Sequence, residues 1–265
     1  QGMPIRIKEQ SPWKSQVLVI KALFKRELIT RFGKYKLGAV WILLDPLLTV
    51  LFLGLILGPL LDRSRGEIPY IFFLLCGFML LKMVTGPLNA GLSAVSANQG
   101  LLVFKKVQPI DPFVARFLFQ FATNALALVV FCIIAYWIGV VMSLEHLFKA
   151  AACVLLSWLI GSGLGLQLGI VCHRHNVLEK VVGYMQLPLL CISCVIHPLD
   201  GVPPDYRVYL LYNPLVHTIE YMRMCLFPSY VVEGVNLYYP AAWALCTLTL
   251  GFIAYRNNRH FLTQR

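Results

Sequence analysis

Apolar runs dominate the chain, and short polar breaks separate them at fairly regular intervals. Six runs, at 37–61, 69–92, 112–141, 148–172, 180–199 and 240–256, approach the ~20 residues that a helix needs to cross a bilayer core. The first is interrupted. Its stretch LGAVWILLDPLLTVLFL sets Asp45 and Pro46 among apolar residues, where an ionised carboxylate is costly and proline removes a backbone donor. Ahead of the runs, the segment 13–36 carries too much charge to span. Trp13, Val17, Ile20, Phe24 and Leu28 recur on one helical face with Lys14, Lys21 and Lys25 opposite, the pattern of an amphipathic helix lying in the headgroup plane. A helix packed on a partner protein fits the same pattern. Residues 1–12 read as a flexible N-terminus, with Gln1-Gly2 ahead of Met3 as an expression scar and no cleavable signal peptide.

Two connections carry more pattern than a plain loop. In SAVSANQGLLVFKKVQPIDP, residues 93–112, a short helical piece from Leu101 to Val107 is stopped by Pro109 and Pro112. The region from Pro198 to Tyr239 is rich in tyrosine and proline. Within it Asn213-Pro214 is a helix start, asparagine as N-cap and proline at the first helical position. The helix that follows, LVHTIEYMRMCLF, reaches Pro228 and is too short to cross, which predicts re-entrant structure over 203–239. The expected fold is an all-α polytopic membrane protein. It has six transmembrane helices in a single domain over 37–265, an N-terminal amphipathic interfacial helix, and short re-entrant helices between spans five and six.

Composition supports that class: 58% of the chain is hydrophobic and 13% charged, against about 25% charged in a soluble domain. The net charge of +11 would suit nucleic acid, but its placement argues for a membrane instead. With the N-terminus inside, inner segments hold 17 of the 23 lysines and arginines, outer segments five, and Lys82 falls within a span. That bias puts both termini in the cytoplasm. The eight cysteines lie mostly inside apolar runs, so the Cys191-x-x-Cys194 pair reads as small hydrophobes rather than a redox motif.

Candidate chemistry is sparse. Asp45 and Lys82 sit at matched depths on adjacent spans and could pair, or Lys82 could snorkel beside a protonated Asp45. His217, Glu220 and Arg223 share one helical stripe, open to three readings: an internal ion-paired stripe, a substrate-facing surface, or an acid–base set. Tyrosines crowd the outer region as interface anchors or as sugar-stacking groups. The His173-x-His175 pair alone makes no metal site. No G-x-x-x-x-G-K-[ST] phosphate loop occurs, so any ATP-driven step needs a separate chain.

Two stretches, ITRFGKYKLGAVWILLDPLL (29–48) and YLLYNPLVHTIEYMRMCLFPSY (209–230), together resemble the ABC-2 family of ABC-transporter permeases. They look most like the capsular polysaccharide exporters of Gram-negative bacteria. The resemblance runs from about residue 13 to 262. It implies a homodimer in the bacterial inner membrane, with each copy bound to one subunit of an ATPase dimer that holds ATP and Mg; no cofactor, metal or catalytic residue falls to this chain. It implies coupling to the ATPase through Asn98, Gln99, Leu102, Phe104, Lys105 and Lys106, with a second contact at His173, Arg174 and Asn176. The cargo implied is a lipid-linked, acidic polysaccharide, with periplasmic and outer-membrane export proteins as further partners and no nucleic acid. A conduit between two copies would draw on Trp41, Asp45, Lys82, Arg116, Arg207, Tyr209, Tyr212, His217, Glu220, Arg223 and Tyr230. Rival readings keep the class but change the cargo to O-antigen, teichoic acid or a small drug, or make the chain a membrane glycan transferase or a scaffold subunit.

Overall fold

The computed structural model describes residues 12–32, 38–61, 68–102, 107–140, 143, 145–174, 177–259 and 261–263. Among them every regular element is helical. In chain order these are α1 (Pro12–Phe32), α2 (Gly38–Leu61), α3 (Tyr70–Leu92), α4 (Gln99–Leu102), α5 (Asp111–Trp137), α6 (Leu147–Arg174), α7 (Val177–Ile192), α8 (Pro204–Leu211), α9 (Pro214–Leu226) and α10 (Tyr238–Asn258). By length and composition, α3, α5 and α6 can each cross a membrane. The helices follow the apolar runs because a chain without water as a partner must satisfy its own backbone.

The centre is the α3–α6 pair, and glycine sets its spacing. A Cβ on Gly165 would stand 2.6 Å from the Pro87 carbonyl oxygen, and Gly161 and Gly169 meet the Val84 and Gly91 backbones with the same crowding. These glycines repeat every fourth residue, so one face of α6 lets two backbones touch, where association depends on close packing rather than on hydrophobicity. On the neighbouring face a Cβ on Gly163 would lie 2.6 Å from the Thr247 carbonyl carbon, which seats α10 equally close. Gln167 Nε2 donates to the Thr247 carbonyl at 2.7 Å, and Trp158 Nε1 to the Phe117 carbonyl at 3.0 Å. Around this pair lie α5, α9 and α2, while α7 and α8 stand at the periphery.

The amphipathic helix keeps Lys14, Lys21 and Lys25 exposed and half-buries Val17, Ile20, Phe24 and Leu28, and it also uses polar residues to dock. α1 lies across the first turns of α5 and buries Leu23 and Glu27, leaving Trp13 exposed. Glu27 meets Arg31 at 3.3 Å and Arg116 at 3.7 Å; Gln16 donates to Asp111, and Arg26 to Asn98. Phe24 packs edge-on to Phe119. The docked face is thus partly polar, because the start of α5 offers Asp111 and Arg116 as partners. The C-terminal turn Phe261–Thr263 lies at this same end, where Leu262 joins Ala94, Val95, Phe113 and Ile170.

Two expected boundaries move. The apolar run 180–199 is helical only to Ile192, since Cys194 takes a left-handed backbone (φ 54°) and frees the carbonyls of 194 and 195 for Arg223. At 16 residues α7 is about 24 Å long, short of the ~30 Å hydrocarbon core. The piece expected at Leu101–Val107 begins earlier, as a 3-10 turn at Ser96–Asn98 followed by α4; residues 103–106 lie outside the described set.

Candidate functional site

α9 starts where the sequence says it should. Asn213 Oδ1 accepts from the Leu215 amide at 3.0 Å, with Pro214 in the first turn, so one otherwise unpaired N–H is satisfied. Spacing of three residues then stacks His217, Glu220 and Arg223 toward the interior, and all three are buried. Arg223 Nη1 donates to the Cys194 carbonyl at 2.8 Å and to Glu220 Oε1 at 3.1 Å. Its Nη2 donates to the carbonyls of Val195 at 2.9 Å and Phe73 at 3.2 Å, and its Cζ lies 3.5 Å from the Phe73 ring centroid. Gly77 makes the room: a Cβ there would fall 2.6 Å from Arg223 Nη2.

Glu220 is equally well served. Besides Arg223, its Oε1 accepts from the Leu199 amide at 3.1 Å, and its Oε2 accepts from Tyr230 Oη at 2.6 Å. Burial, reinforced by the Glu220 carboxylate beside it, pushes the Tyr230 phenol above its ordinary pKa, so it stays a donor. At the other end of the stripe the Asn236 amide donates to His217 Nδ1 at 3.1 Å, which leaves Nε2 to donate to the Leu211 carbonyl at 2.9 Å. Burial lowers the pKa of His217, in keeping with a neutral ring used from both sides. Paired with each other and hydrogen-bonded at every polar atom but Arg223 Nε, Glu220 and Arg223 can exist as charges at 0% exposure, whereas either one alone could not.

This changes the part played by several expected conduit residues. Glu220 and Arg223 have no surface in this chain; they tie α9 to α3 and to the turn after α7 rather than offering a contact face. Arg116 is enclosed by Glu27, the Ala90 carbonyl at 3.3 Å and Ser93 Oγ at 2.9 Å. Arg207 braces its own loop through the carbonyls of Val202 and Asp200 and the Asp200 carboxylate. By contrast Tyr209 and Tyr212 are exposed, on α8 and just after it, and no residue of α8 is buried. The side chains of Trp41 and Asp45 lie outside the described residues, so their part and the Asp45–Lys82 pair stay as expectations.

Among the expected coupling residues, Asn98 is buried, bonded to Arg26 and to the Ala94 carbonyl, while Gln99 is exposed. His173 packs edge-on to Phe261, and Arg174 is exposed. Phe104, Lys105, Lys106, His175, Asn176 and the Leu102 side chain lie outside the described residues.

A second polar feature escaped the sequence reading. Lys82 and Asn89 are seven residues apart on the one face of α3 not fully covered, and Gln186 of α7 donates to Asn89 Oδ1 at 2.7 Å. Asn124 of α5 donates to the Lys82 carbonyl at 3.1 Å, and a Cβ on the intervening Gly86 would come within 3.3 Å of both Asn124 and Gln120. Lys82 Nζ stands 5.2 Å from the Phe78 ring centroid. The signal was available as single amides inside apolar runs, but only packing brings three helices' amides to one stripe.

Bilayer-length apolar helices joined by glycine contacts, with buried charges neutralised internally, define an integral membrane protein. Residues 19–227 match the family described as ABC-2 type transporter, and the chain belongs to that family. It is 34% identical over 248 residues to the polysialic acid transport protein KpsM of Escherichia coli, covering 94% of this chain and 96% of that protein. It is 26% identical to the capsule polysaccharide export inner-membrane protein BexB of Haemophilus influenzae, over 90% of each. Identity to the capsule polysaccharide export inner-membrane protein CtrC of Neisseria meningitidis is 29%, over 89% of each.

Proposed function

We propose that this chain is the inner-membrane permease subunit of an ATP-driven exporter of lipid-linked, acidic capsular polysaccharide. The observation that carries the reading is similarity along nearly the whole length to proteins named for polysialic acid transport and capsule polysaccharide export. In this reading α2, α3, α5, α6 and α10 are five spans and α7 together with the turn that follows it to Pro198 makes the sixth crossing; α1 lies at the inner membrane surface, and α8 with α9 forms the re-entrant outer region. Both termini face the cytoplasm. ATP and Mg bind a separate ATPase dimer that docks on the basic inner end, at 98–106 and around His173–Arg174. Periplasmic and outer-membrane proteins continue the route.

A polymer cannot be enclosed in a closed pocket, so the path runs between two copies. Support comes from what one copy leaves uncovered: α7 and α8 are each exposed over most of their surface, and the Asn89–Gln186 pair on the face of α3 that carries Lys82 is a poor neighbour for lipid. The test is complementation. Expressed with its ATPase in a capsule-producing strain that lacks its own permease, the chain should restore surface polysaccharide. Cysteines placed at 82, 89 and 186 should react with water-soluble thiol reagents. No restoration in an assembled, ATPase-active complex would reject the export reading, and unreactive cysteines would reject the path.

A further inference from the structure

Away from the amide stripe, at the end of the bundle remote from α1, a cavity of about 390 Å³ opens between the α5–α6 connection and α9. Its distance from α1 follows from α5, whose first turns hold α1 and whose 27 residues extend about 40 Å before the connection begins. The volume falls within the roughly 300–1,000 Å³ of small-ligand sites. Its lining is mixed in a specific way. Tyr221 and Tyr230 supply aromatic surface, Lys149 and His146 nitrogens, Ser143 and Glu145 oxygens, and Met224 and Val231 apolar surface.

The charges here are unspent. Arg116, Arg207 and Arg223 are each consumed by internal partners. Among the described residues no ion pair engages Glu145 or Lys149, although they are near in sequence and share the cavity. The cavity is also anchored. The Ser143 amide donates to the Leu226 carbonyl at 2.9 Å, fixing the connection on the end of α9. Tyr230 lines the cavity while its hydroxyl is committed to Glu220, so a group bound against Tyr230 is one hydrogen bond removed from the buried Glu220–Arg223 network.

We propose that this cavity binds one carboxylated sugar residue of the exported glycan as it leaves the membrane. A sugar ring fits against the tyrosine faces, its hydroxyls reach Ser143 and Glu145, and its carboxylate reaches Lys149 and His146. The proposal rests on the export reading above, and its test separates the two.

The full-length chain with its ATPase, in nanodiscs of zwitterionic lipid, is titrated with a sialic acid tetramer and with its carboxyl-reduced form, binding being read by saturation-transfer NMR. The tetramer should bind, and carboxyl reduction should weaken it at least tenfold. Lys149→Gln, at an exposed position, should weaken it at least tenfold while melting within about 2 or 3 degrees of the parent, as surface changes do; Tyr221→Ala should weaken it as much but also lower the melting temperature, because Tyr221 packs on the core. Nanodiscs of phosphatidylglycerol should leave the affinity unchanged. Absence of tetramer binding, equal binding of the two forms, indifference to both substitutions, or competition by the anionic lipid would each overturn the proposal. In cells, a parent chain that restores capsule beside variants that do so equally well would sink the cavity alone, whereas failure of the parent sinks the export reading.

Discussion

Two neighbouring helices of similar length invert the usual expectation. α9 carries a histidine, a glutamate and an arginine and is the buried one, while α7, mostly apolar, is exposed over most of its surface. In water that arrangement would be unstable. In a membrane the apolar helix costs nothing to leave outside, and the charged one must be enclosed and matched. Burial here therefore follows the need to satisfy polar groups as much as hydropathy.

The contrast can be broken experimentally. The largest effect belongs to Arg223→Leu, which strands the Glu220 carboxylate in the interior and should cost about 3–5 kcal/mol, read as a large fall in melting temperature in detergent. The double change Glu220→Leu with Arg223→Leu should recover part of the loss, since no lone charge remains. Next comes Gly165→Leu in the α6 seam, where the 2.6 Å approach to backbone leaves a side chain no room; overpacking of this kind costs about 1–3 kcal/mol and should show as weaker resistance to unfolding by detergent. Removing the α9 cap with Asn213→Ala should cost about 1 kcal/mol by the same melting measurement.

A smaller effect is pH-dependent. α9 is not a spanning helix, and burial lowers the His217 pKa, so the unfolded ring binds a proton more readily than the folded one. Stability from this site is complete above the ordinary histidine value of about 6.5 and declines as pH falls below it. His217→Gln should flatten that slope between about pH 7 and 5. The smallest effect is expected in α7: Tyr184→Ser should change single-chain stability by no more than about 0.5 kcal/mol. A large loss there would place Tyr184 inside a contact that one copy does not contain.

Much of the architecture was legible. The helices over 70–92, 111–137, 147–174 and 238–258 match their apolar runs within a few residues, and the Asn213-Pro214 start is realised as a side-chain cap. The end of α7 was not legible, because nothing in LPLLCISCVI announces that Cys194 and Val195 give their carbonyls to a residue some 30 positions later. The apolar face of α1 was legible, but the burial of Glu27 within its docked face was not, because Glu27 looks like a solvent-facing charge until Arg116 is beside it. The glycine repeat 161–165–169 was readable, but a hydropathy scan passes over glycine, whose value lies in what it lacks.

The sequence alone determined the class of protein, the rough limits of the helices over 70–92, 111–137, 147–174 and 238–258, the cap of α9 and the uneven distribution of basic residues, since each depends on composition or on neighbours a few positions apart. Tertiary structure decided which charges are enclosed, which helix is left uncovered and which amides share a stripe. Those outcomes depend on partners far apart in the chain, and the cost of an unmatched polar group at membrane depth selects among packings only once the helices have met.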